Sequence, residues 1–149
     1  MELEKEIKQP KFRNEYHKLA VNIIYTYGWF ANLQAGIFKE FNITPSQFNI
    51  LRILRGQYHK PATIILLKER MLDKMSDVSR MVERLKNKGL VKRELCPDNR
   101  RQVDVIITEK GLNLLSEIDK LNEKQDAFFK NISYAEAQKL NNLLDKMRG

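Results

Sequence analysis

Residues 78–107, VSRMVERLKNKGLVKRELCPDNRRQVDVII, change their apolar period part-way along. Up to Lys88 the apolar residues Val78, Met81, Val82 and Leu85 fall at three- and four-residue steps, which places them on one face of a helix. Gly89 stops that helix, because glycine enters the left-handed conformation of a helix C-terminus at little cost. Beyond it the pattern alternates: Val91, Arg93 and Leu95 with Lys92 and Glu94, then Val103, Val105 and Ile107 with Gln102 and Asp104. Period two predicts a pair of strands. Cys96-Pro97-Asp98-Asn99-Arg100-Arg101 between them, with its turn-forming Pro, Asp and Asn, reads as a hairpin tip.

On the N-terminal side the helix is expected to begin near Asp73. Pro61 opens a short apolar helix through Ile64, Leu67 and Met71. Before it, Thr44-Pro45-Ser46-Gln47 is a capping box with proline at the first helical position, starting a helix that buries Phe48, Leu51 and Leu54 and ends near Gly56. From about Lys11 to Phe41, Phe12, Tyr16, Leu19, Ile23, Tyr27, Phe30, Leu33 and Ile37 keep helical spacing. On the C-terminal side Thr108 caps a long helix carrying Leu112, Leu115, Ile118 and Leu121, and Ser133 with Glu136 caps a terminal helix carrying Leu140, Leu143, Leu144 and Met147. Three helices followed by a basic hairpin are the winged variant of the helix-turn-helix. The fold class is therefore mainly α with a small β-hairpin wing. The chain reads as one unit, 1–149, with a winged-helix region at 44–107 and long flanking helices, 11–41 and 109–148, that dimerise.

The dimer expectation rests on Leu19 to Phe38, which hold no charged residue. Their length alone would also suit a bilayer. Asn22, Thr26, Asn32 and Gln34 oppose that, since amides are costly in lipid and ordinary at a protein contact. Met1 to Arg13 is polar and of mixed charge, unlike a secretory signal, so a cytoplasmic location is expected. The single cysteine, Cys96, excludes an internal disulfide.

The charge is concentrated. Of a net +8, a surplus of five lies between Lys68 and Arg101, where eleven Lys/Arg face six Asp/Glu. Neutralising phosphates needs such clustering. Lys74, Ser76, Asp77, Ser79 and Arg80 lie near the N-terminal end of the helix, where short polar groups reach base edges and the helix end favours phosphate oxygens. Arg84 and Lys88 continue from Arg80 at four-residue spacing, as a phosphate-binding stripe or a solvated face paired with Glu83. In the hairpin, Arg93, Arg100 and Arg101 supply further charge, and an arginine at a tip suits a narrow minor groove. Asp98 either orients the Arg100 guanidinium or stabilises the turn through its own backbone.

Catalysis finds little support. His17 and His59 are isolated, no Cys or His cluster has metal-ligand spacing, and no glycine-rich phosphate loop is present, so neither cofactor nor metal is expected. Two other readings stay open: a redox-responsive regulator acting through Cys96, and a winged helix used only for protein–protein assembly.

The ordered set Ile43-Thr44-Pro45-Ser46-Gln47-Phe48, Val78-Ser79-Arg80-Met81-Val82-Glu83-Arg84-Leu85, Lys88-Gly89-Leu90-Val91, Asp98-Asn99-Arg100-Arg101 and Thr108-Glu109-Lys110-Gly111 resembles the MarR family of bacterial regulators. The resemblance implies a homodimer bound to double-stranded DNA at a pseudo-palindromic operator. Its recognition helix would enter the major groove and Arg100 the minor groove. Most relatives repress, and many release DNA on binding a small, often phenolic, anion; here Tyr25, Trp29 and Phe30 are the candidate ligand residues. Four positions depart from the pattern. Leu72 stands where glycine is usual, and Ile65 and Leu66 where polar residues are usual, for which added core contact is the plain expectation. Asp77 replaces a usual Ser or Thr, either accepting from a cytosine N4 or pairing with a nearby arginine.

Overall fold

The computed structural model describes residues 1–149. Its elements are α1 (Leu3–Glu6), α2 (Glu15–Lys39), α3 (Pro45–Gln57), β1 (Ala62–Thr63), α4 (Ile64–Arg70), α5 (Val78–Asn87), β2 (Val91–Cys96), β3 (Asn99–Ile107), α6 (Glu109–Asp119), α7 (Asn122–Asp126), a 3-10 turn (Ala127–Phe129) and α8 (Tyr134–Arg148). The fold is mainly helical with a small antiparallel sheet, as the change of period at Gly89 predicts. Gly89 has φ +73°, the left-handed conformation that lets the chain leave α5 and enter β2.

Local signals set the helix starts. Thr44 accepts from the Gln47 N–H while the Gln47 side chain accepts from the Thr44 N–H, and Ser133 and Glu136 repeat the device at α8. Thr63 caps α4 and Thr108 caps α6 without the reciprocal bond, their hydroxyls accepting from the Leu66 and Gly111 N–H groups.

Several boundaries differ from the expectation. The sheet has three strands, ordered β1-β3-β2, because Ala62 and Thr63 pair with Val105 and Asp104; a two-residue strand is defined by its partner and has no period of its own. Helix α5 begins at Val78, five residues later than expected, after a turn in which the Ser76 N–H donates to the Asp73 carbonyl at 3.3 Å. The long helix expected after Thr108 ends at Asp119 and is followed by separate short turns.

Nineteen buried apolar residues form one core cluster. Its members come from the end of α2 (Ile37, Phe38), from α3 (Ile50, Leu51, Leu54), α4 (Leu67), α5 (Val78, Val82, Leu85), the sheet (Val91, Val105, Ile107) and α6 (Leu115, Ile118). No residue of α8 is buried, and α2 buries only Ile37 and Phe38. The core therefore belongs to the winged-helix region and α6, and fixes α5 and the wing on one body. An Arg55–Asp119 ion pair at 2.7 Å joins α3 to the end of α6.

Candidate nucleic-acid interface

Helix α5 turns Val78, Val82 and Leu85 into the core, which leaves Ser79, Arg80 and Arg84 exposed on its other faces. Neither arginine has an acidic partner: Glu83, the neighbouring carboxylate, is held by Arg93 of β2 and by Lys86 at 3.6 Å. Of the two readings of the stripe, the structure thus excludes pairing of Arg80 and Arg84 with Glu83. Lys88, the third member, bends back so that its ammonium donates to the Asn42 carbonyl; this holds the end of α5 against the α2–α3 loop instead of extending the stripe. Lys74 lies before α5 and donates to the Glu69 carbonyl, and Ser76 is half-buried in the turn.

Asp77 forms no ion pair with an arginine. It is the N-cap of α5, its carboxylate accepting from the Arg80 N–H at 3.1 Å. A carboxylate there satisfies an orphan donor and complements the positive helix end.

In the wing, β2 and β3 pair from Val91↔Ile107 to Cys96↔Asn99, with an irregularity between Leu95 and Cys96. Strand β3 begins at Asn99, so Arg100 and Arg101 lie on the strand just beyond a Pro97-Asp98 turn and not at the tip itself. Both are exposed and have no acidic partner, and Asp98 makes no bond to Arg100. Asn99 stabilises the turn, accepting from the Arg101 N–H at 3.1 Å. Cys96 is a half-buried free thiol opposite Asn99.

Arg93 is no free phosphate donor, because its guanidinium spans from the wing to Glu83 on α5. Sequence reading missed this pair; its partners lie ten residues apart on different elements. The bond from Arg93 and the charge of Lys86 hold the Glu83 carboxyl below its ordinary value of 4.5. A carboxylate whose pKa is lowered on folding contributes stability above its unfolded value, and loses it as pH falls through the folded one. The wild-type protein is therefore expected to melt above Glu83→Gln at neutral pH, with the gap closing as pH falls below 4.5. A gap independent of pH would remove the ion pair as its cause.

Between wing and helix lies an open cleft of about 490 Å³, bordered by Ile65, Ser79, Arg93, Asn99 and Arg101. Ile65 is 69% exposed there, contrary to the expected core role, whereas Leu66 packs against the core. Of the candidate ligand residues, Trp29 and Phe30 lie side by side with ring centroids 6.4 Å apart, whereas Tyr25 is engaged elsewhere. Tyr25 donates to Glu6 at 3.0 Å, and Trp29 meets Phe129 edge-on at 6.5 Å. Phe30 alone of the three borders a second cavity, of about 530 Å³, with Tyr27, Phe48, Arg52, Leu72 and Lys74. No helix is long and apolar enough to cross a membrane.

An exposed helix on a helical core, followed by a basic two-stranded wing in the same sheet as β1, defines the winged helix-turn-helix class. The MarR family model matches residues 43–103. The HTH-type transcriptional regulator MgrA of Staphylococcus aureus is 28% identical over 111 residues, 74% of each chain. A mutant MarR from E. coli, solved in complex with operator DNA, superposes with TM-score 0.81 at 25% identity, covering 92% of this chain and 98% of that one. A MarR transcription factor from Planctomyces limnophilus gives TM-score 0.71 at 26% identity over 93% of this chain and 98% of its own. Over residues 43–103 the chain is similar to the winged-helix module of the MarR family of transcription regulators, the region that holds most of the motifs.

Proposed function

We propose that the chain is a homodimeric repressor that binds double-stranded DNA at a pseudo-palindromic operator in the cytoplasm and is released by a small anionic effector. The observation that carries this reading is the set of unpartnered guanidinium groups, Arg80 and Arg84 on α5 with Arg100 and Arg101 on the wing. Arginines left without carboxylates on one body are suited to phosphate oxygens and to the negative potential of a minor groove. The E. coli relative solved with operator DNA supports the same use of the fold.

Dimerisation is supported by what the outer helices leave uncovered. Tyr16 is 82% exposed, Ile24 72% and Tyr27 70% on α2, and Leu140 and Leu143 are about half exposed on α8. A 15-residue helix with no buried residue is marginal in water by itself. A two-fold partner covers these faces and gives the spacing of recognition helices that a palindrome requires. The cavity beside Phe30 suits an aromatic anion: Tyr27, Phe30 and Phe48 offer rings, while Arg52 and Lys74 offer positive charge. Leu72 and Lys74 belong to the turn that leads into α5, so an occupant there bears on the recognition helix directly.

Binding-site selection from random duplexes tests the reading. The wild-type protein is expected to enrich an inverted repeat. Arg100→Ala should weaken binding and erase preference for A·T-rich flanks while keeping the core consensus, because the minor-groove code is degenerate. Ser79→Ala should instead change preference at a defined base. A consensus redrawn by Arg100→Ala and untouched by Ser79→Ala would reverse the groove assignment. Recovery of no sequence at all would favour the assembly-module reading.

A further inference from the structure

Two groups stand out among the exposed large apolar side chains. One lies on α2 and α8, where the proposed dimer covers it. The other surrounds the entry to the recognition helix: Ile65 is 69% exposed, Leu72 83% and Met75 92%. Leu72 borders the cavity beneath α2, and Ile65 borders the wing cleft. Met75 borders neither and packs against no core residue, so folding of the chain gives it no task.

Its position is nevertheless fixed. The Met75 N–H donates to the Asp73 carboxylate at 2.9 Å, the Ser76 N–H to the Asp73 carbonyl, and the Leu72 N–H to the Asn49 side chain at 2.9 Å. Two residues on, Asp77 caps α5. This turn carries the thioether at the leading end of the recognition helix, just ahead of Arg80.

We propose that Met75 is a specificity-determining residue that contacts the C5-methyl group of a thymine in the major groove. The inference rests on the DNA-binding reading above and adds the base that one named side chain selects. Base edges in the major groove present donors and acceptors, and the thymine methyl is their one apolar feature. An apolar side chain whose thioether is only a weak acceptor, held where the helix enters the groove, gains most from that feature. Methionine suits the contact because it is unbranched and polarisable and adapts to the surface it meets. Arg80, in the first turn of α5, has no acidic partner in the protein and brings the duplex to the same end of the helix.

The test uses the full-length protein and the duplex recovered by selection. Each thymine is replaced singly by deoxyuridine, which pairs identically but lacks the methyl group, and affinity is read by fluorescence anisotropy at fixed salt. At one thymine in each half-site the replacement is expected to weaken wild-type binding about fourfold, the worth of one buried methyl group. Met75→Ala should bind the thymine and deoxyuridine duplexes equally at that position, and Met75→Leu should restore most of the difference. As Met75 is almost wholly exposed, both variants should melt with the wild-type protein. A deoxyuridine penalty unchanged in Met75→Ala, or no thymine that matters, would overturn the inference and leave DNA binding standing. Failure to select any duplex would instead overturn the parent reading, and this inference with it.

Discussion

Gly111→Ala is expected to lower the melting temperature by roughly 5–10 °C, although alanine is the better helix former. A Cβ at Gly111 would lie 2.4 Å from the Leu90 carbonyl oxygen and 2.7 Å from Ile107 Cγ1. The Leu90 carbonyl cannot yield easily: it accepts from the Thr108 N–H at 3.1 Å, while the Thr108 hydroxyl donates to Gly89 and accepts from the Gly111 N–H. These bonds fasten the start of α6 to the chain leaving the recognition helix, so relief of the clash must move one or the other. Overpacking of this kind costs about 1–3 kcal/mol, with backbone contacts at the upper end. The alanine propensity gain in a helix opposes it by at most ~1 kcal/mol. In a protein of this size each kcal/mol corresponds to roughly 2–4 °C. Calorimetry of the variant decides the sign; a rise in melting temperature would mean that α6 and the chain at Leu90 are less tightly joined than described.

The second large effect concerns the dimer. Leu140→Glu combined with Leu143→Glu is expected to yield a folded monomer that binds operator at least ~100-fold more weakly, since joining two half-site contacts raises avidity by about 10²–10⁴. Both leucines are about half exposed in the single chain and absent from its core cluster, so a monomer loses little by the change. Buried against a second copy, four carboxylates would meet apolar surface without partners. Sedimentation gives the state directly: wild-type protein should run at twice the 17.6 kDa chain mass, and the double variant at that mass. A wild-type monomer at micromolar concentration would refute the dimer outright.

The parts of the fold legible in the sequence are those written locally. The capping boxes at Thr44 and Ser133, the inward stripe of α5 and the alternation of β2 and β3 each depend on residues a few positions apart, and each is found in the structure. What escaped depends on partners distant in sequence. Strand β1 exists because Val105 lies opposite Ala62. Lys88 left the basic stripe because the Asn42 carbonyl, 46 residues earlier, accepts its proton. Nothing local to Arg93 announces Glu83, ten residues earlier on another element, as its partner. Asp77 is a different failure: an aspartate ahead of Val78, with its carboxylate three residues from the Arg80 N–H, is an ordinary N-cap signal, and placing the helix start near Asp73 concealed it. Ile65, whose apolar side chain predicts a core position, stands on the wing cleft.

If the unpartnered arginines of α5, Arg80 and Arg84, neutralise DNA phosphates, the salt dependence of affinity shows it most directly. Binding of the selected duplex should be titrated by anisotropy across a series of salt concentrations, for the wild-type protein and for Arg84→Ala. The wild-type plot of log affinity against log salt is expected to fall steeply, by on the order of −0.9 per phosphate neutralised. Arg84→Ala should lower affinity for all sequences alike and make the slope shallower by roughly one per subunit. A wild-type slope close to zero, or an Arg84→Ala slope equal to it, would contradict the assignment of this surface to DNA.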